Sequence, residues 1–143
     1  MENTSLTMEN VAWLRGEHAM TIAEVSRKYG ITADTLRYYE RIGLIPPVPR
    51  NGRGIRDYDE KACAWVEFIK CMRGAGLQID ALTEYVSLFP QGEASAAARK
   101  QILVEQRQQL AGRIAAMQAV LDRLDYKISI YGETGFAGEA ELR

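Results

Sequence analysis

The chain has 143 residues, 47% apolar and 26% charged, with a formal net charge of −1, the balance of an ordinary water-soluble domain. No run approaches the roughly 20 apolar residues of a membrane helix, and no segment has the basic start, apolar stretch and small-residue cleavage site of a secretory signal. The cytoplasm is therefore the expected compartment, with no membrane partner. Two cysteines and one histidine are too few for most metal sites within one chain, so no metal or cofactor is expected.

The charge is unevenly placed. Residues 1–19 carry net −2, residues 20–76 hold ten Lys or Arg against seven Asp or Glu, and residues 77–143 return to net −2. The positive excess thus falls on the middle segment, as a nucleic-acid-binding module requires.

Residues 1–19 form an extension in which Val11-Ala12-Trp13-Leu14 is a short apolar helix or part of a disordered lead-in. Met20 is an alternative start. From there the punctuation is dense. Thr21 followed by Glu24 predicts a capping box, Ile22, Val25 and Tyr29 keep helical spacing, and Gly30 ends the helix. Thr32 caps a second helix over 33–42, closed by Gly43. Two short helices joined by a tight Gly-containing turn predict a helix-turn-helix.

Pro46, Pro47 and Pro49 exclude helix next; Asn51-Gly52-Arg53-Gly54 is a turn tip, and Ile55-Arg56-Asp57-Tyr58 is short and extended. This segment predicts a small β-wing. Asp59 caps a third helix to about Arg73, and a fourth runs over 79–89 until Pro90 and Gly92 break it.

The last element is the longest, from about Ser95 to Tyr131. Leu110, Ile114, Met117, Leu121, Leu124, Ile128 and Tyr131 alternate spacings of four and three, a heptad seam that Leu103 extends upstream. Such a stripe belongs either to a helix packed on its own core or to a dimer. No later helix follows to cover it, so a second copy of the chain is the economical partner. The tail, 132–143, holds three Gly and is expected to be mobile. The domains are therefore an extension (1–19), a DNA-binding domain (20–90), a dimerisation helix (95–131) and a tail (132–143).

Cys63 and Cys71 share the third helix, eight residues apart, which separates their Cα atoms by about 12 Å. A disulfide needs about 7 Å or less, so they cannot pair with each other. His18 is the sole histidine, and no catalytic constellation accompanies it. An enzyme is not expected.

The run Met20-Thr-Ile-Ala-Glu-Val-Ser-Arg-Lys-Tyr-Gly30, followed by Thr35-Leu-Arg-Tyr-Tyr-Glu40-Arg-Ile-Gly-Leu-Ile45-Pro, closely resembles the MerR family of bacterial transcription regulators. Gly54-Ile-Arg-Asp-Tyr58-Asp59 and Lys70-Cys-Met-Arg-Gly-Ala-Gly76-Leu resemble it too, so the likeness covers residues 20 to about 131. It implies a mainly α fold: a winged helix-turn-helix with a small β-wing, then a long antiparallel coiled-coil dimerisation helix. The antiparallel sense comes from the resemblance, since the heptads do not decide it. The implied partners are double-stranded promoter DNA, a second copy of the chain and RNA polymerase. The implied mechanism is activation by distorting a promoter whose spacer is too long, at a cost of a few kcal/mol.

The helix over 33–42 is then the recognition helix. Arg37 carries a planar donor fork for guanine edges or phosphate; Thr32, Thr35 and Tyr38 offer hydroxyls, and Arg41 extends the basic face. The resemblance implies that Arg37 and Tyr38 contact DNA and that Arg56 and Tyr58 fasten the wing to the backbone. Arg50 and Arg53 are secondary wing candidates. Of the two adjacent tyrosines, Tyr39 is expected to be the buried one.

The stretch from Ile55 through Trp65-Val-Glu-Phe-Ile-Lys-Cys71-Met-Arg resembles the aldehyde-responsive subgroup, which implies Cys71 as a sensor of a small electrophile. A thiolate attacks electrophilic carbon, and the neighbouring cations Lys70 and Arg73 would favour it. Cys63 is read as a buried packing residue. A regulator answering oxidative or nitrosative stress or a non-covalent ligand, and a coiled-coil interaction adaptor, are the alternatives these residues leave open.

Overall fold

Thr21 opens the first helix, α1 (Ile22–Tyr29), as a full capping box: its hydroxyl accepts from the Glu24 N–H, and the Glu24 carboxylate accepts from the Thr21 N–H. The computed structural model describes residues 19–134. The expectations for 1–18 and for the tail beyond 134 lie outside the described residues. Gly30 ends α1 at φ 66°, where a side chain would be strained, and its N–H closes on the Ser26 carbonyl. Two residues later Thr32 caps α2 (Ala33–Ile42). α3 (Glu60–Gly74) starts from Asp59, whose carboxylate accepts the Ala62 N–H, and α4 (Ile79–Ser87) follows. Each such cap satisfies a backbone donor that the helix itself leaves free, worth about 1 kcal/mol.

The fourth helix stops two residues short of the expected Phe89. A 3₁₀ segment, Phe89–Ser95, replaces its end, because Pro90 interrupts the amide ladder and Gly92 turns the chain at φ 60°, ψ −137°. The Ser95 hydroxyl donates to the Leu88 carbonyl, and Arg99 grips this bend. Its Nε donates to Ser95 Oγ and its Nη2 to the Gly92 carbonyl, both at 2.9 Å, while the guanidinium lies 4.5 Å from the Phe89 ring centroid. The last helix, α5 (Ala96–Thr134), has 39 residues, a length of about 58 Å at 1.5 Å per residue.

The chain divides between Ile102 and Leu103 into two compact units. The first is a helical bundle in which α1 packs on α2 and α3. Its fully buried side chains are Val25, Leu36, Leu44, Ile45, Tyr58, Val66, Ile69 and Leu82, drawn from α1 to α4 and from the segments between them. A second cluster, aromatic and half-buried, joins Trp65 and Phe68 of α3 to Tyr85 and Phe89, with Trp65 and Tyr85 each contacting the other three rings at centroid distances between 4.9 and 6.3 Å. In the second unit, the helix from Leu103 onward, Ile114, Met117, Leu121, Leu124, Ile128 and Tyr131 are exposed and Leu110 is half-buried.

The expected β-wing requires correction. Among the described residues there is no strand, only two isolated antiparallel bridges, Met20 to Tyr58 and Arg50 to Arg56. Pro46, Pro47 and Pro49 have no N–H to give to a ladder, so the segment is held by turn bonds instead. The Asn51 N–H donates to the Ile55 carbonyl, Asn51 Oδ1 accepts the Arg53 and Ile55 amides, and the Asp57 N–H reaches the Pro49 carbonyl.

Candidate nucleic-acid interface

Thr32 fixes the start of α2 through two bonds: its Oγ1 accepts the Thr35 N–H at 3.1 Å and donates to Thr35 Oγ1 at 2.9 Å. Beyond that cap, spacings of three, one and three put Asp34, Arg37, Tyr38 and Arg41 on one exposed face, opposite the fully buried Leu36. Arg37 Nη1 pairs with Asp34 at 2.8 Å, and both side chains are well exposed. A pair so placed is weak in water, leaving the guanidinium free to exchange it for a stronger acceptor. Tyr38 is 40% exposed, and Arg41 lies over its ring at 5.4 Å from the centroid. Tyr39 turns inward and is half-buried, and its carbonyl takes the Leu44 N–H at 2.9 Å, as expected of the tyrosine on the core side.

The wing residues divide. Arg53 projects at the turn tip, and Arg50 is exposed while its Nη1 donates to the Gly54 carbonyl at 2.9 Å, closing the turn. Tyr58, expected as a backbone contact, is instead fully buried. Its amide and carbonyl bond Met20, which pins the side chain on the core side of the extended segment; burial pushes its phenol up from the ordinary value, and no protein group hydrogen-bonds the hydroxyl. It cannot reach a duplex in this conformation. Arg56 is only 24% exposed, with its Nε 2.7 Å from Glu40 Oε1.

Glu40 was not singled out from sequence, though it stands in the Leu-Arg-Tyr-Tyr-Glu run. Its second oxygen accepts the Val48 N–H at 2.9 Å. Burial alone would raise this carboxyl, but the Arg56 and Val48 bonds and the Arg56 and Arg50 charges outweigh it and hold the group below the ordinary carboxylate value. An acid on a helix expected to face phosphates was the available signal, because it needs a compensating cation nearby.

The two cysteines differ as expected. Cys63 is buried, its thiol 3.8 Å from the Tyr58 carbonyl and 3.9 Å from Met20 Sδ, and burial pushes its pKa up against the opposing charge of Lys28. Tyr29, beside it, is pushed up to about 12, first by burial and then by Cys63 and Glu67. Cys71 is exposed on the last turn of α3. Of the expected cationic neighbours, Arg73 Nη1 donates to the Leu77 carbonyl at 2.6 Å, and Lys70 Nζ lies near Gly30, at the turn between α1 and α2. No group of three or more His, Cys, Asp or Glu placed to hold a metal occurs among the described residues, and no helix there is long and apolar enough to cross a membrane.

Two family models match the chain, one described as "MerR HTH family regulatory protein" over residues 20–88 and one as "MerR, DNA binding" over 63–126. The HTH-type transcriptional regulator AdhR of Bacillus subtilis is 60% identical over 91 residues, 64% of this chain and 65% of that relative, just under two thirds of its length. A solved protein from Listeria monocytogenes, described as a MerR family transcriptional regulator, is 47% identical with a TM-score of 0.80; the match covers 87% of this chain and 94% of that one. HiNmlR, a MerR family regulator lacking the sensor domain and solved bound to promoter DNA, is 28% identical with a TM-score of 0.72, covering 81% of this chain and 92% of that one.

Proposed function

Because this chain belongs to the MerR family of helix-turn-helix DNA-binding transcriptional regulators, we propose that it binds promoter DNA as a homodimer, activates by distorting the promoter for RNA polymerase, and senses reactive aldehydes through Cys71. The observation carrying the DNA-binding surface is the exposed stripe Arg37, Tyr38 and Arg41 on α2, opened by Thr32 and Thr35. Arg50 and Arg53 extend that surface to the wing. Residues 20–90 act as the reader and 95–131 as the dimerisation helix.

The seam of α5 is the dimer contact. An antiparallel pair sets each a position against a d position: Leu110 against Ile128, Ile114 against Leu124 and Met117 against Leu121, so each seam position from Leu110 to Ile128 meets an apolar partner. The signal reading rests on the exposure of Cys71 and on the similarity to AdhR. Addition of the Cys71 thiolate to an aldehyde carbonyl carbon forms the C–S bond, and the carbonyl oxygen takes up a proton to give a hemithioacetal.

Two measurements on one promoter test this. Arg37→Ala should weaken salt-dependent binding about tenfold or more, since a good bidentate contact is worth about 1–3 kcal/mol; unchanged binding removes α2 as the reader. Formaldehyde and methylglyoxal should activate transcription with wild type and Cys63→Ser but not with Cys71→Ser. A normal aldehyde response from Cys71→Ser overturns sensing at that thiol, and a Cys71-dependent response to peroxide alone moves the signal to oxidants.

A further inference from the structure

The wing has no ladder to hold it. One bridge, Arg50 to Arg56, closes its turn, and a pair of short-turn bonds shapes its tip. Among the described residues, the side-chain hydrogen bonds that join it to the recognition helix run through one carboxylate. Glu40 follows Leu36 by four residues and Arg37 by three, on the flank between the buried and exposed faces of α2. From there Oε1 takes Arg56 Nε, sixteen residues on, and Oε2 takes the Val48 N–H in the connecting segment. The ion pair is 24% and 14% exposed on its two sides, so it is screened less than a surface pair.

We propose that Glu40 is a positioning residue for DNA recognition: it braces Arg56 and Val48 so that the wing and α2 meet one duplex in register. The proposal rests on the reading that α2 and the wing face DNA. It recasts Arg56 as the neutralising half of the brace rather than a phosphate ligand. An uncompensated Glu40 carboxylate would repel the phosphates it sits beside, so losing Arg56 alone harms binding twice, through the slack wing and through the bare charge. Removing both groups harms it less than the two single losses combined.

The test uses the full-length homodimer and duplexes that the wild-type protein selects from a random pool. Affinity is measured against salt for wild type, Glu40→Gln, Arg56→Gln and the double variant, with melting temperatures confirming the fold. Each single change should weaken binding about tenfold, the double should fall short of the product, and the double, which removes one charge of each sign, should keep the wild-type log–log salt slope. A phosphate ligand lost from both protomers would instead reduce that slope by about 1.8. That result for the double variant, with Glu40→Gln binding as wild type or tighter, overturns the proposal. If Glu40→Gln does not fold, Glu40→Asp, whose shorter arm cannot span both partners, decides: weaker binding at unchanged slope supports the brace, and wild-type affinity overturns it. A wild-type protein that selects no duplex overturns the DNA-binding reading beneath, a result distinct from either outcome for Glu40.

Discussion

The Tyr58 hydroxyl lies in the core with no protein hydrogen-bond partner, whereas its ring is fully buried, as are Val25, Leu36 and Val66. A buried hydroxyl without a partner costs roughly 1–3 kcal/mol. Tyr58→Phe should therefore leave stability unchanged or raise it by about 1 kcal/mol, read as the midpoint of urea unfolding, with operator affinity as in wild type. A loss of affinity at full stability would return the hydroxyl to the list of DNA contacts. Tyr58 and Arg56 were both expected on the DNA side from the family resemblance, and sequence offers no means of telling which way an extended residue points. The alternation that would decide it, successive side chains to opposite faces, needs a register, and here the register comes from the bonds of Tyr58 to Met20, 38 residues earlier.

At the scale of elements, the helices obey their caps and the bends obey glycine. Gly92 sits at φ 60°, ψ −137°, a region that other residues enter at a cost of about 1–3 kcal/mol. A Cβ there would meet nothing within 4 Å, so Gly92→Ala should destabilise by that backbone strain alone. Gly112, inside α5 and equally open, should behave oppositely, Gly112→Ala stabilising by about 1 kcal/mol. Urea unfolding of the two variants beside wild type separates them, and equal effects would show that the bend does not depend on glycine. Thr21, Thr32, Asp59, Gly30 and Gly43 made α1, α2 and the start of α3 legible because capping is local chemistry. The end of α4 was less so: Pro90 marks a break, but only Ser95 and Arg99 folding back on the bend decide that it becomes a 3₁₀ turn leading straight into α5.

For the whole molecule, the exposed seam of α5 asks for a second chain, and its direction can be measured. In a background of Cys63→Ala and Cys71→Ser, Leu110→Cys alone should not form an intermolecular disulfide in an antiparallel pair, where the two positions stand about 27 Å apart at 1.5 Å per residue. Mixed with Ile128→Cys protein it should cross-link, because those positions come opposite. Self-cross-linking of Leu110→Cys would make the pair parallel, and Leu121→Glu should yield monomers in sedimentation whichever direction holds. The sequence by itself determined the helices, the heptad seam, the buried Cys63 and the α2 stripe, since periodicity and capping act within a few residues. Only the tertiary structure decided that the wing carries no strand, that Tyr58 belongs to the core and that Glu40 holds Arg56. Those contacts join residues 8 to 38 positions apart, and a side chain's choice between water and a distant partner depends on the packing that brings the partner near.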